Sequence, residues 1–405
     1  MKIQSGNISS RLWFFILSSS ALFFFFFAYD SPSPMYSGLR EIFGDRYEEY
    51  HNLLYAAYAV PNLLLPLLFN LSDNSEPAKM VYTYALIVAG QSIFCLGVGM
   101  GVFELMLAGR FIVGLGGESF SIAQNKMLAS LFSPHEHGKV FGLCLSIGRL
   151  GSILAYLLLG TLIEQGAFVC ALISTALVWL GGLFILITYR KWEVKWQECC
   201  EPLEEEEVHH LLPFFIAMTV LLACATSPFS SNNSAILQKR LGIDFKQASR
   251  ALAFQEATAL IFTIFISIAT DKFGHRLSCI CLGTLFLTLG HSMIFYSSPL
   301  YWISVFLLGM SSALQACSWP CYPLLLSQSK LAIGLSLLSC FINLAYSACP
   351  PIISRISDPS FRVSEYCSTF FAGMSSVIAL YIVFANSRHR YGLNGIRHYR
   401  AEGKI

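Results

Sequence analysis

The chain has 405 residues, of which 55% are hydrophobic and only 12% charged, and its mean hydropathy is +0.60. That composition leaves too few polar groups to coat a soluble globule, so the chain reads as an all-α integral membrane protein. A formal charge of +2 provides no large basic face, which argues against a nucleic-acid partner.

A hydrocarbon core about 30 Å thick needs about 20 apolar residues in a helix, and only closed hydrogen-bonding elements can cross it. Twelve segments qualify, near 12–34, 51–69, 80–101, 105–131, 139–161, 167–189, 212–232, 249–270, 277–297, 301–326, 333–354 and 366–386. The first lacks a small-residue cleavage pattern and runs on through "FFFFFAYDSPSPM", so it is read as a retained helix. Of thirteen cysteines, eleven fall in apolar segments, while Cys199 and Cys200 sit together in a polar linker. This is neither a disulfide framework nor a metal set, and the "CSWPC" cysteines are taken as small apolar packers.

Short basic loops stay in the cytosol. With a cytosolic N-terminus, fifteen lysines and arginines fall on that side and eight on the other, with Arg110, Lys126 and Arg149 left inside spans. Both termini are therefore expected in the cytosol. The polar stretch at 189–212 divides the spans six and six, giving expected bundles at 1–189 and 212–386, a cytosolic linker at 190–211 and a basic tail at 387–405 that would be drawn to anionic lipids. "LSDNSEPAK" after span two and "DKFGHR" after span eight stand in matching places. Asp73 and Asp271 are 198 positions apart, close to half the chain, as expected for a duplicated carrier with its ligand site between the halves.

"DKFGHR" resembles the cytoplasmic loop signature of the major facilitator superfamily, an acid followed by a basic residue, a glycine and two further basic residues. The resemblance implies a twelve-helix fold of two pseudo-symmetric six-helix halves. It also implies a conformational latch formed by Asp271, Lys272, Gly274 and Arg276, with Asp73 as a degraded first-half counterpart. "AGRFIVGLGGE" resembles the superfamily's fourth-helix pattern through Arg110 and Gly114. "YDSPSPM", "LLYAAYAVPN", "GRFIVGLGGESFSIAQN", "VFGLCLSIGRLGS" and "CSWP", in this order, are together similar to the lysosomal dipeptide carriers of that superfamily.

Arg110, Glu118 and Lys126 are spaced by eight in the fourth span, so each outer cation lies about 12 Å from the glutamate along the axis. Both cations are expected to snorkel to opposite membrane surfaces. Glu118 sits near the bilayer centre, where a lone charge costs on the order of 3 kcal/mol, and Arg149 in the fifth span is the expected partner. Glycines 114, 116, 117, 148 and 151 would let these two helices approach. On charge alone two readings stand level, a closed interhelical bridge or two groups held apart around a wet cavity. The resemblance favours the second and implies that Glu118 takes a dipeptide's amino end and Arg149 its carboxylate.

Pseudo-symmetry carries Glu118 to residue 316, which places Trp319 across the cavity as a side-chain wall, or else as ordinary packing. Pro320 and Pro323 mark a helix break there. Tyr55, Tyr58 and Asn62 recur on one helical face as cavity-liners or packers. Asp30 is read as a solvated helix-end acid in preference to part of an outer gate, and Glu256 as either a proton-coupling carboxylate or a partner for Gln255 and a neighbouring helix. His291 is read as a helix–helix hydrogen bonder. The sequon at 232–234 abuts the membrane and is expected bare, and the "EEEE" run at 204–207 is read as a solvated linker.

No nucleophile–base pair, metal set or cofactor motif occurs at catalytic spacing, so no enzyme is expected. On that resemblance the reading is a lysosomal or endosomal multi-pass carrier moving dipeptides by alternating access, with uniport as the implied form and a glycosylated single-span accessory subunit as an implied partner. Rivals are a proton-coupled carrier of another small solute and a non-transporting scaffold or receptor.

Overall fold

The computed structural model describes residues 8–44, 47–70, 75–132, 137–192, 209–297, 299–326, 328–389 and 393. Eleven of its helices are long and apolar enough to cross a membrane. In the first half these lie on α1 (Ile8–Asp30), α5 (Glu76–Met100), α6 (Phe103–Leu131), α7 (His137–Leu162) and α8 (Ala167–Trp192). In the second they lie on α9 (Leu212–Leu241), α10 (Phe245–Phe273), α11 (Arg276–Phe295), α12 (Tyr301–Gln315) with the turn that follows it, α14 (Gln328–Ile356) and α15 (Arg362–His389).

The remaining expected span is present but broken. It runs as α3 (Tyr47–Ala59), a 3-10 turn (Val60–Leu63) and α4 (Leu65–Asn70), preceded by the short α2 (Tyr36–Phe43). Pro61 lacks an N–H and disrupts the ladder, and Asn62 Nδ2 donates to the Tyr58 carbonyl at 3.1 Å. The same device recurs in α9, where Pro228 lies inside the helix, the backbone departs from helical geometry at Asn232, and Asn232 Nδ2 donates to the Pro228 carbonyl at 3.3 Å. The tenth span likewise changes to a 3-10 turn over Ala316–Cys321 before α13 (Tyr322–Leu325).

The halves meet along two seams, α7 against α10 and α3–α4 against α14. Counted as spans these are five with eight and two with eleven. Exchanging each span for its counterpart in the other half, five for eleven and eight for two, turns one seam into the other, as a two-fold relation between halves requires. Large apolar side chains such as Leu183, Val377 and Phe384 face outward at 55%, 63% and 62% exposure, where lipid replaces water as solvent. Small and hydroxylated residues fill the interior, as in the Gln91 to Ser174 hydrogen bond of 3.1 Å between α5 and α8.

All eleven cysteines among the described residues are free thiols. His291 and Glu365 form a 2.9 Å contact between α11 and α15 with side chains 1% and 0% exposed, the helix–helix bond expected of His291. The sequon residues Asn232 and Ser234 are buried, at 5% and 2% exposure.

Candidate substrate-binding site

Arg149 lies on the face of α7 that meets the second half. Its Nη1 donates to Glu256 Oε2 on α10 at 2.8 Å, and its Nη2 donates to Ser312 Oγ on α12 at 2.8 Å. Its Nε is buried and has no partner. The arginine is thus paired across the two halves and forms no closed bridge with Glu118, one of the two arrangements the sequence left open; Glu256 as its partner was not expected. Helices α6 and α7 touch only slightly, because their glycines serve other neighbours. A Cβ on Gly151 would meet the Phe23 carbonyl of α1 at 2.1 Å, one on Gly114 the Tyr58 carbonyl of α3 at 2.1 Å, and one on Gly116 the Thr83 carbonyl of α5 at 2.3 Å. Gly117 lies against Tyr58 and Phe25, and Gly148 only loosely against Leu22 and Phe26.

Glu118 makes no ion pair among the described residues. It is half-buried and lies within electrostatic reach of Tyr58 on α3 and Tyr346 on α14. Tyr346 shares a 3.2 Å hydroxyl contact with Thr226 of α9. Asp30, expected as a solvated helix-end acid, instead accepts a hydrogen bond from Ser152 of α7 and lies within electrostatic reach of Glu256, Arg110 and Arg149. Three carboxylates and two guanidiniums therefore share the centre of the bundle, contributed by α1, α6, α7 and α10.

Arg110 departs furthest from expectation. It is fully buried and does not reach the membrane surface. Its Nε and Nη1 point to the carbonyls of Leu54 and Ala28, at 3.4 and 3.5 Å, and its guanidinium lies 5.3, 5.4 and 5.6 Å from the ring centres of Tyr29, Tyr55 and Tyr58. Backbone carbonyls and aromatic faces replace the water that snorkelling would have supplied. Tyr55, Tyr58 and Asn62 are accordingly buried, at 4%, 5% and 0% exposure, the tyrosines around Arg110 and the asparagine at the break in its own span. Lys126 is met by Glu76 at 3.3 Å, which also holds Lys79 at 3.2 Å.

Trp319 sits in the 3-10 turn, 53% exposed, with its ring 6.0 Å from that of Tyr322. Cys317 in the same turn neighbours Thr270 and Cys279, and Cys321 lies near Arg276, so the turn is beside the α10–α11 connection. The position of the tenth span that reaches Arg149 is Ser312, two turns earlier. Of the latch residues, Asp73 and the Asp271 side chain lie outside the described residues. Lys272 is exposed over the Phe273 ring, Gly274 ends α10 at a φ of 75° that favours glycine, and Arg276 opens α11.

At the face opposite the start of α1 and the end of α15, the halves are joined by neutral hydrogen bonds converging on the α9 kink. Ser33 donates to Asn233 Oδ1, Asn233 Nδ2 donates to Tyr156 Oη at 2.9 Å, and Asn232 Nδ2 donates to Asn52 Oδ1. The central charges lie behind this closure.

Ser312, Tyr346 and Thr226 were missed by sequence reasoning, since lone hydroxyls in apolar spans carry no spacing signal. Glu256 was visible as an intramembrane acid, but nothing in the sequence shows which cation it meets, and Asp30 was placed at a solvated helix end.

Two helical halves packed around a polar, charge-bearing centre define a membrane carrier. The chain belongs to the major facilitator superfamily, whose sequence profile matches residues 18–207 and 214–401. It is a transporter of that superfamily and not an enzyme. Its relatives include the lysosomal dipeptide transporter MFSD1 of Homo sapiens, 24% identical over 93% of this chain and 87% of that protein. The protein of the same name from Danio rerio is 26% identical over 78% of this chain and 74% of its own. In fold it is similar to a D-xylose–proton symporter, with a TM-score of 0.72 and 13% identity over 91% of this chain and 97% of that one. It is also similar to the transporter FucP in its outward conformation, with a TM-score of 0.64 and 13% identity over 92% and 99% of the two chains.

Proposed function

We propose that this chain carries dipeptides across a lysosomal or endosomal membrane by uniport, with both termini cytosolic. Glu118 receives the ammonium end and Arg149 the terminal carboxylate. The observation that carries this is the separation of the two groups. Arg149 presents a guanidinium whose Nε has no acceptor among the described residues, while Glu118, on the adjacent span, keeps a carboxylate that no cation among them neutralises. A zwitterion of two residues supplies the cation that Glu118 lacks and a carboxylate for the incompletely bonded Arg149, and a neutral sugar supplies neither.

The lysosomal dipeptide transporters among its relatives support the same substrate class. In this reading Tyr55, Tyr58 and Asn62 hold the floor of the site through Arg110 and the break in span two, and Trp319 lines the cytosolic exit. The residues at 271–276 act as the latch with Asp73, and a glycosylated single-span subunit accompanies the carrier.

Uptake of labelled Leu-Ala into proteoliposomes tests the assignment. Glu118→Gln and Arg149→Lys are each expected to lower uptake at least tenfold, and wild-type uptake by both variants rejects it. The Arg149–Glu256 pair favours a second reading, proton-coupled transport through Glu256, in which a pH gradient drives accumulation that Glu256→Gln abolishes.

A further inference from the structure

We infer that Glu256 is a resident stand-in for the substrate's carboxylate, so that a carboxylate-bearing solute loads by displacing it from Arg149. The inference rests on the proposed role of Arg149 as the carboxylate receptor. It adds a residue that sets affinity and links loading to the release of one half from the other.

Accessibility separates this pair from the other deep ion pairs among the described residues. The Glu76–Lys79 side chains are each 4% exposed, and those of His291 and Glu365 are 1% and 0%. Arg149 and Glu256 retain 14% and 21%, so water and a small solute can reach a pair that is otherwise deep in the bundle. The first two pairs are closed structural contacts. The third is placed where exchange is physically open.

The bonding at Arg149 is also incomplete. A guanidinium and a carboxylate pair best as a two-pronged fork. Glu256 offers one oxygen to Nη1, Ser312 occupies Nη2, and Nε has no acceptor. Because Nε is itself buried, an incoming carboxylate completes the fork only as Glu256 moves off Nη1 and opens that edge. Asp30 lies within electrostatic reach of Glu256, and repulsion between these acids lowers the cost of moving Glu256 away.

Both groups that hold Arg149 come from the second half, while Arg149 belongs to the first. Displacing Glu256 therefore loosens a tie between halves at the moment the substrate arrives. A ligand drives a conformational change only through such a difference in contacts between states.

If Arg149 is free of Glu256 about a tenth of the time, the apparent dissociation constant of a carboxylate ligand is weakened about tenfold, and removing the competitor restores that factor. The test uses the full-length protein in detergent, with ligand-dependent shifts of thermal unfolding titrated for Leu-Ala, its C-terminal amide and acetate. Glu256→Gln is expected to tighten Leu-Ala about tenfold and leave the amide unchanged. Glu256→Asp, which shortens the reach but keeps the charge, is expected to tighten it less and serves if the glutamine variant does not fold.

Leu-Ala bound no more tightly by the folded variants overturns the inference, as does an equal gain for the amide. If no dipeptide binds but acetate gains in Glu256→Gln, the dipeptide reading falls and the displacement mechanism stands. If no free carboxylate gains, displacement is refuted whatever the substrate.

Discussion

Gly114 of α6 lies directly against the Tyr58 carbonyl of α3, so closely that a Cβ there would stand 2.1 Å from the oxygen. The obstacle is backbone, which cannot swing aside as a side-chain tip can. Gly148 of α7 makes a useful contrast, since its Cβ would meet Leu22 and Phe26 side-chain atoms at 3.4 Å, an ordinary contact. Gly114→Ala is expected to cost about 1 to 3 kcal/mol through overpacking, seen as a lower unfolding midpoint in detergent, and Gly148→Ala to cost little. Equal midpoints for the two would show that α6 can shift freely from α3.

Arg110 should be as intolerant of a conservative change as Glu118 and Arg149, but for stability. Lysine keeps the charge yet loses the planar contact with three tyrosine rings and the branched reach to two carbonyls. Arg110→Lys is expected to destabilise the fold by about 2 kcal/mol, with Lys246→Gln as control. Lys246 pairs with Glu164 at 2.7 Å, but both side chains are more than half exposed, and water screens the contact. A drop in the unfolding midpoint for Lys246→Gln as large as that for Arg110→Lys would contradict this ranking.

The closure opposite the start of α1 and the end of α15 must open once per cycle if the carrier alternates. Ser33 and Asn233 bond across the halves there. Cysteines placed at both positions, Ser33→Cys with Asn233→Cys, and bridged by a short bifunctional thiol reagent are expected to stop dipeptide uptake. Either single variant treated alike is expected to stay active, which controls for the native thiols. Uptake persisting after complete bridging would mean that this end does not part during transport.

Much of the fold was legible because insertion into a bilayer is decided segment by segment. Most long apolar runs became single helices close to their expected places, and the tenth breaks near Pro320 and Pro323 as expected, while the break at Pro61 in the second was not foreseen. The charged residues at the centre were also legible as residues, because Arg149, Glu118 and Glu256 each interrupt a run that could otherwise have been wholly apolar.

Their pairing was not legible. Arg149 was expected to face Glu118, 31 positions away and on the preceding span, because neighbours in sequence are the default neighbours in space. Its partner, Glu256, is 107 positions away in the other half. Likewise Arg110 was expected at a membrane surface, since a lone helix offers it nothing better. It became fully buried only because α1 and α3 bring two carbonyls and three rings to it.

The amino-acid sequence by itself determined that this protein lives in a membrane, roughly where its chain crosses and which charges are carried inside, because transfer of a segment from water to lipid depends on that segment alone. Tertiary structure decided which of those charges meet and which stay open to a solute. That depends on how each helix is rotated and which helix of the other half it touches, and both follow from packing between residues a hundred or more positions apart.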